Sequence, residues 1–272
     1  MKEPRIPYDA ALNMKVAQVF NSNRSYYDIM QEWHTRRGGL AVEPEVKRLI
    51  EGECRPGRRI LEAGTGCGSI INCFGDKYPD VKFVGVDISK IGISIGSSKA
   101  PPNVEFKVED IKRLSFPDAA FDFCFSQSVI EHVVGWQEAL KELHRVLVPN
   151  GHLLIRVSNG NIDSIPRRQA FFRYLFRKNT VINLTPSFKL EDDNWTDQET
   201  NFDIQEIPSD VLLRALRDAD FSITYFTTGI KEWRHSPALK ARILSYLNLW
   251  PFNHLGSTTI VMARKQSVQK IR

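Results

Sequence analysis

The sequence predicts a doubly wound α/β fold, in which helices cover both faces of a mostly parallel, seven-stranded sheet. Three observations indicate this. Short apolar runs alternate with amphipathic segments of helical length between residues 45 and 157. A glycine-dense turn at residues 64–68 follows the first of these runs, and the runs around it end in acidic residues. In a parallel sheet such strand ends share one edge, where ligands bind.

The individual elements follow from periodicity and from turn residues. The predicted strands are short apolar runs, at 59–63, 81–87, 104–108, 121–126, 152–157, 221–227 and 258–263. The predicted helices carry apolar residues at helical spacing, at 23–37, 43–51, 69–77, 89–99, 138–147, 166–178, 209–219 and 239–249. Pro149-Asn150-Gly151 is predicted to turn the chain before the fifth strand.

This pattern predicts a single domain over residues 1–272, with an insertion after the fifth strand. Its predicted parts are an N-terminal helical cap (1–45), a ligand-binding core (46–157 and 208–265) and an acceptor-side insertion or lid (158–207). The helix at 166–178 places phenylalanines on one arc and basic residues on most of the opposite arc. A solvated basic face, contact with an anionic acceptor and peripheral contact with a membrane surface all remain open.

Composition narrows the class of protein. The 272 residues are 42% hydrophobic and 25% charged, as in ordinary globular chains. A net charge of +5 permits an acidic partner without requiring one. The four cysteines form no C-x-x-C pair, which predicts a reduced, cytoplasmic chain without a metal site. No apolar run approaches the roughly 20 residues that span a bilayer, and no oligomeric state is predicted.

The glycine turn discriminates between ligands. Its spacing is G-x-G-x-G, with Ser69 where the dinucleotide fingerprint has its third glycine. Glu62 places a carboxylate beside the turn, where it would repel a pyrophosphate and attract an ammonium or a sulfonium. The alternative is an ordinary tight connection between a strand and a helix.

Acidic residues also end the next two strands. Asp87 lies 87 − 64 = 23 residues after Gly64, about where a carboxylate holds ribose hydroxyls in nucleotide-binding folds. Glu109 and Asp110 follow the third strand. Each acid taken alone is better explained as a helix cap or a solvated loop residue. Together with the glycine turn they favour a ligand that is cationic and nucleoside-like.

Four ordered motifs carry a resemblance to a known family. They are ILEAGTGCGS (60–69), FVGVDIS (83–89), VEDIKRLSFPDAAFDFCFSQSVIEHV (108–133) and LKELHRVLVPNGHLLI (140–155). In these stretches the chain resembles the class I S-adenosylmethionine-dependent methyltransferases of the small-molecule type often called type 11, which have a Rossmann-like fold. The resemblance covers about residues 45–157 and little of the rest.

The resemblance implies S-adenosyl-L-methionine as the cofactor and assigns its contacts. The glycine turn and Glu62 would cradle the methionine half, Asp87 would hold the ribose, and Asp110 would meet the adenine amino group. The complete set of implied cofactor-binding residues is Glu62, Ala63, Gly64, Gly66, Gly68, Asp87, Ile88, Asp110, Ile111, Ser126 and Gln127.

The resemblance also implies methyl transfer to a small molecule. We expect an oxygen acceptor rather than nitrogen or carbon, on a sugar, a lipid-linked compound or a natural-product intermediate. His132 is the candidate general base, against the alternative of a packing role. The acceptor-side candidates are aromatic residues, Tyr26, Tyr27, Trp33 and Trp195. A cofactor-binding protein without acceptor chemistry is one alternative. A nucleic-acid methyltransferase is another, although no nucleic acid is expected as a partner because no recognition module is visible.

Overall fold

The computed structural model describes the strands and most of the helices predicted for the core. The described residues are Gln18, Phe20, Asn21, Arg24, Tyr27, 42–158, 182–183, 205–229 and 258–267. The five described residues between 18 and 27 are helical. Among the described helices, none has the length and apolar character needed to cross a membrane.

Seven strands form one mixed sheet. They are β1 (Arg59–Ala63), β2 (Lys82–Asp87), β3 (Val104–Val108), β4 (Phe121–Gln127), β5 (Leu147–Ser158), β8 (Phe221–Gly229) and β9 (Thr258–Lys265). Their order in the sheet is β3-β2-β1-β4-β5-β9-β8. β1 to β5 are parallel, and β9 runs antiparallel to both β5 and β8. Two short strands, β6 (Ile182–Asn183) and β7 (Gln205–Glu206), pair separately. The predicted fold class is confirmed.

Helices cover both faces of the sheet. The described helices are α1 (Pro44–Glu53), α2 (Ser69–Lys77), α3 (Lys90–Ser97), α4 (Trp136–Val146) and α5 (Ser209–Asp218), with a 3₁₀ helix at Ile130–His132. α1 and α2 pack into the apolar layer on one face, and α4 and α5 into the layer on the other. The predicted helix at 239–249 and the insertion helix at 166–178 lie outside the described residues.

Successive side chains of the central strands enter opposite layers, as the period of two in a strand requires. In β1, Ile60 packs on the side of α1 and α2, whereas Leu61 packs on the side of α4 and α5. In β4, Phe123 and Cys124 divide in the same way, and they pair in register with Ile60 and Leu61. Both faces of these strands are therefore buried, which explains why the sequence shows continuous apolar runs there.

The fifth strand begins earlier than the sequence predicts. β5 starts at Leu147, which pairs with Phe121, and the next pair on β4 is Phe123 with His152. The predicted turn is therefore a bulge inside the strand, with Asn150 at a φ of 65°. A turn residue such as asparagine tolerates this conformation, so the pattern of 149–151 resembles that of a loop between elements.

The strand order reverses at β1, because the chain passes from β1 to β2 and β3 on one side and then returns to β4 on the other. Such a switch point opens a crevice at the carboxyl ends of the two diverging strands. Here those ends are Ala63 in β1 and Gln127 in β4. The predicted division into cap, core and insertion remains a prediction.

Candidate functional site

The glycine turn lies at this switch point and joins β1 to α2. Gly64, Gly66 and Gly68 have φ values of 82°, 56° and 72°. These left-handed conformations favour glycine. A Cβ on Gly64 would lie 2.3 Å from Cγ2 of Val129, in the segment that follows β4. The turn is therefore both sterically and conformationally restricted to glycine at this position, and it packs directly against the loop after β4.

Glu62 lies beneath the turn and is 2% exposed. Its carboxyl accepts hydrogen bonds from the Thr65 hydroxyl, at 2.7 Å, and from the backbone N–H of Ile71. Burial raises the pKa of the Glu62 carboxyl to about 8, and the nearby Asp87 contributes in the same direction. At neutral pH this group is mostly protonated, and a neighbouring cation would favour its ionised form.

Asp87 ties the end of β2 to the glycine turn. One carboxylate oxygen accepts from the Gly66 N–H at 2.8 Å, and the other accepts from the Ser89 N–H at 2.8 Å. Burial raises the pKa of Asp87, while these backbone donors and His132 act in the opposite direction. The Ile88 N–H is a third backbone donor to this carboxyl, so its four lone pairs retain capacity for one more donor.

The ends of β2 and β3 present an apolar surface beside Asp87. Ile88 is 37% exposed and Val108 is 45% exposed, and Asp87 pairs in register with Val108. Asp110 lies in the turn that follows β3, where its Oδ1 accepts from the Lys112 N–H at 2.9 Å. Large exposed apolar side chains at a cleft are a common feature of ligand-binding surfaces.

Two of the predicted cofactor-binding residues, Ile111 and Ser126, are buried in the protein. Ile111 is buried in the apolar layer next to α4 and α5. Ser126 is also buried, and its hydroxyl donates to the Ala63 carbonyl at 2.9 Å, which joins β4 to the last residue of β1. Gln127 follows Ser126, and its Oε1 is buried without a hydrogen bond from any residue that the structure describes. A buried acceptor without a donor is costly unless a ligand or water supplies one.

Described residues before α1 contact the same edge of the sheet, where β2 ends. The Ser89 hydroxyl donates to the Phe20 carbonyl at 3.0 Å, and the Lys90 N–H donates to Oδ1 of Asn21 at 2.7 Å. The Phe20 ring stands edge-on to the ring of His132, with centroids 5.9 Å apart. Helical residues before α1 therefore connect the start of α3 to the 3₁₀ helix after β4.

Tyr27 is buried and packs beside the glycine turn. A Cβ on Gly66 would lie 3.7 Å from its Cε1, and a Cβ on Gly92 would lie 3.1 Å from the same atom. The absence of a side chain at Gly92 lets α3 approach the turn, because a Cβ there would lie 2.7 Å from the Gly66 carbonyl oxygen. The other predicted acceptor-side residues, Tyr26, Trp33 and Trp195, lie outside the described residues.

Comparison with known proteins shows which family this site resembles. Residues 61–155, which hold the glycine turn, Asp87, Gln127 and His132, match the family model described as "Methyltransferase domain". These residues, which make up less than half of the chain, are similar to the class I, S-adenosylmethionine-dependent methyltransferases. The cofactor of this family is S-adenosylmethionine, as the sequence motifs imply.

The similar relatives are named as methyltransferases, and the similar solved structures share the fold. The ubiquinone/menaquinone biosynthesis C-methyltransferase UbiE of Ectopseudomonas mendocina is 31% identical over 147 residues, which are 52% of this chain and 57% of that protein. Phosphoethanolamine N-methyltransferase 3 of Arabidopsis thaliana is 30% identical over 137 residues, which are 48% of this chain and 26% of that protein. A SAM-dependent methyltransferase structure from Methanosarcina mazei matches with a TM-score of 0.56 at 22% identity, covering 84% of this chain and 99% of that one.

The match to UbiE thus spans little more than half of that relative, and the structural likeness concerns the fold. The methyltransferase motifs identify the ends of β1, β2 and β4 correctly, since each motif runs through the end of its strand. They assign no role to Val108, although the third motif begins there, and they give no indication of the contacts made by Phe20 and Asn21 or of the hydrogen bonds that hold the segment after β4. The sequence did offer one signal for these hydrogen bonds, the charged Arg156 between the apolar Ile155 and Val157 in the fifth strand.

Proposed function

We propose that this protein transfers a methyl group from S-adenosylmethionine to a small-molecule acceptor. The observation that carries the proposal is the juxtaposition, at the switch point, of the glycine turn with Asp87 on one side and Gln127 on the other. S-adenosylmethionine supplies a methyl group that is electrophilic because it is bonded to a sulfonium. The chain's contribution is then to bind, orient and exclude water.

The described residues fit the methionine half of this cofactor. Gly64 and Gly66 are partly exposed, so a ligand can approach their backbone, and the carbonyl of Ala63 is held in place by Ser126. The buried Oε1 of Gln127 needs a donor, which the ammonium of a methionine moiety would provide. Glu62, beneath the turn, would compensate positive charge once ionised.

The nucleoside half fits the ends of β2 and β3. Asp87 has a remaining lone pair for a ribose hydroxyl, in addition to the three backbone N–H groups from which it already accepts. Ile88 and Val108 offer an apolar surface of suitable character for a purine ring. Asp110, after β3, would accept from the adenine amino group, with Ile111 anchoring this turn in the core.

On the acceptor side, we propose His132 as the base and an oxygen as the acceptor atom. His132 lies after β4, close enough to Asp87 to lower the pKa of that carboxyl electrostatically. An oxygen acceptor must lose a proton, which a neutral imidazole can take. The two relatives act on carbon and nitrogen according to their names, so support for oxygen rests on His132 alone.

Binding of S-adenosylhomocysteine tests the cofactor assignment. We expect it to raise the melting temperature, because a ligand that binds only the folded state stabilises it by about 2.7 kcal/mol at 100 times its dissociation constant. Ile88→Ser and Val108→Ser should weaken this binding without unfolding the protein, since both side chains are already partly exposed.

Lys82→Ser provides the matched control for these variants, because Lys82 is exposed at the opposite end of β2. We expect it to bind S-adenosylhomocysteine as the unaltered protein does. A protein whose melting temperature does not respond to S-adenosylhomocysteine, or whose three variants respond equally, would contradict the assignment. Incubation with S-adenosylmethionine and a panel of small-molecule acceptors, read by mass spectrometry, then tests turnover.

A further inference from the structure

A buried arginine at the end of β5 connects two parts of the fold. The Arg156 side chain is 8% exposed, although its neighbours in the strand are apolar. Its Nε and Nη2 donate to Oε1 of Glu43 at 3.1 and 2.8 Å, and its Nη1 donates to the Ser128 hydroxyl at 2.5 Å. Glu43 immediately precedes α1, and Ser128 immediately follows β4. Arg156 therefore spans from the first core helix to the segment beside the glycine turn.

Ser128 has a conformation that an L-residue with a side chain rarely adopts. Its φ is +52°, in the left-handed region, which costs a non-glycine residue enough to require support from its surroundings. Arg156 supplies that support twice: the Ser128 N–H donates to the Arg156 carbonyl at 2.9 Å, and the guanidinium holds the Ser128 hydroxyl. The Arg156 backbone thus holds the Ser128 backbone, and the Arg156 side chain holds the Ser128 side chain.

The conformation of Ser128 determines where its neighbours lie. Gln127, with its buried acceptor, precedes it, and Val129, which packs against Gly64, follows it. A second contact with β5 holds the same segment further on, because Oε1 of the buried Glu131 accepts from the Ser158 N–H at 3.1 Å. The end of β5 therefore holds residues 127–132 at two points, and this segment includes Gln127 and His132.

We propose that Arg156 is a positioning residue, which sets the cofactor affinity of the site by holding Ser128 in its left-handed conformation. The proposal rests on the proposed function for the identity of the ligand, S-adenosylmethionine. Arg156 does not have to touch this ligand. It acts through Ser128, on Gln127 and on the packing of Val129 against the glycine turn, and Glu43 in turn orients its guanidinium.

The first test removes the Arg156 guanidinium and then replaces Ser128 by glycine, which needs no support in the left-handed conformation. Arg156→Met should accelerate amide hydrogen exchange in residues 127–132 and weaken S-adenosylhomocysteine binding about tenfold, the factor that corresponds to the cost of a left-handed residue without support. Adding Ser128→Gly to Arg156→Met should restore much of the affinity, because glycine adopts a φ of +52° without support. The melting temperature should stay low in this double variant, because Glu43 has still lost its buried partner.

Arg58→Met is the matched control, because Arg58 pairs with the buried Glu53 just before β1, at the opposite end of the sheet from the turn. It should lower the melting temperature without changing hydrogen exchange in 127–132 or the affinity for S-adenosylhomocysteine. A merely structural role for Arg156 would give the same pattern as Arg58→Met, and Ser128→Gly would then restore nothing.

Single substitutions of Ser128 provide a test that leaves Arg156 and Glu43 intact should Arg156→Met fail to fold. Ser128→Ala removes the hydroxyl while keeping the unfavourable φ, so exchange in 127–132 should rise and affinity should fall. Ser128→Gly removes the hydroxyl and relieves the φ, so affinity should be close to that of the unaltered protein. Equal exchange and affinity in both variants would refute the proposal, and hydrogen exchange decides this even if S-adenosylhomocysteine proves not to bind.

Discussion

Replacing Glu62 by glutamine is predicted to stabilise the protein while weakening its cofactor site. Burial raises the pKa of the Glu62 carboxyl from 4.5 to about 8. In the unfolded chain the group ionises near 4.5, whereas in the folded protein it stays protonated up to about 8. Unfolding therefore releases a proton between these pH values, and stability falls as the pH rises through this window. Glutamine does not titrate, so the stability of the Glu62→Gln variant does not fall in this way as the pH rises.

The magnitude follows from the interval between 4.5 and the working pH. At pH 7 it is 7 − 4.5 = 2.5 pH units, which at 1.36 kcal/mol each amounts to about 3 kcal/mol. For a chain of this size, that corresponds to roughly 6–12 °C in melting temperature. The contacts of Glu62 can be retained, because a glutamine oxygen can accept from the Ile71 N–H and the Thr65 hydroxyl can rotate to accept from the amide.

Thermal melts of both proteins between pH 5 and pH 8 test this directly. We expect the two curves to approach each other near pH 5 and to separate steadily toward pH 8, with the variant more stable. S-adenosylhomocysteine should stabilise the variant less than the unaltered protein, and its binding to the unaltered protein at pH 7 should release protons. A variant that is no more stable at pH 7, or a difference that does not depend on pH, would refute the assignment of a protonated carboxyl beneath the turn.

Two further predictions concern residues on either side of the cleft. Gly64→Ala should cost roughly 2–4 kcal/mol and weaken S-adenosylhomocysteine binding in calorimetry, since its Cβ would meet Val129 at a positive φ. Gly52→Ala, in α1 with open space around the new Cβ, should be neutral or stabilising, and an equal loss in both variants would contradict the steric argument. His132→Gln should lower the rate of methyl transfer about 10²- to 10⁴-fold with S-adenosylhomocysteine affinity unchanged. Full activity in that variant would show that His132 is not the base.

The fold was predictable because its signals are local. The strands β1 to β4 are short segments rich in apolar residues and bounded by turn residues, and the predicted bounds agree with the structure to within one residue. The bulge in β5 was not predictable, because Pro149-Asn150-Gly151 has the same composition whether it ends a strand or interrupts one. Only the pairing of Leu147 with Phe121 across the sheet distinguishes the two.

The sequence indicates where the candidate site lies in the fold but not the contacts within it. Consecutive motifs identify the strand ends, and the topology of a doubly wound sheet brings these ends together. The contacts between Arg156 and Ser128, or between Asn21 and Lys90, join residues 28 and 69 positions apart. They depend on side-chain geometry that no short motif carries, so they emerge only when the sheet is assembled.

The acidic residues at the strand ends show why the contacts within the site matter for its function. The sequence places Glu62, Asp87 and Asp110 around one ligand and, through the family resemblance, assigns each to a different part of it. In the structure their roles differ, because Glu62 is buried beneath the turn with a raised pKa, whereas Asp87 braces the turn through the Gly66 N–H. Asp110 closes the turn after β3. Loss of binding after Asp87→Ala could therefore reflect a collapsed turn as well as a missing ribose contact. Exposed neighbours such as Val108, whose side chain is only partly packed, are the better probes of the ligand.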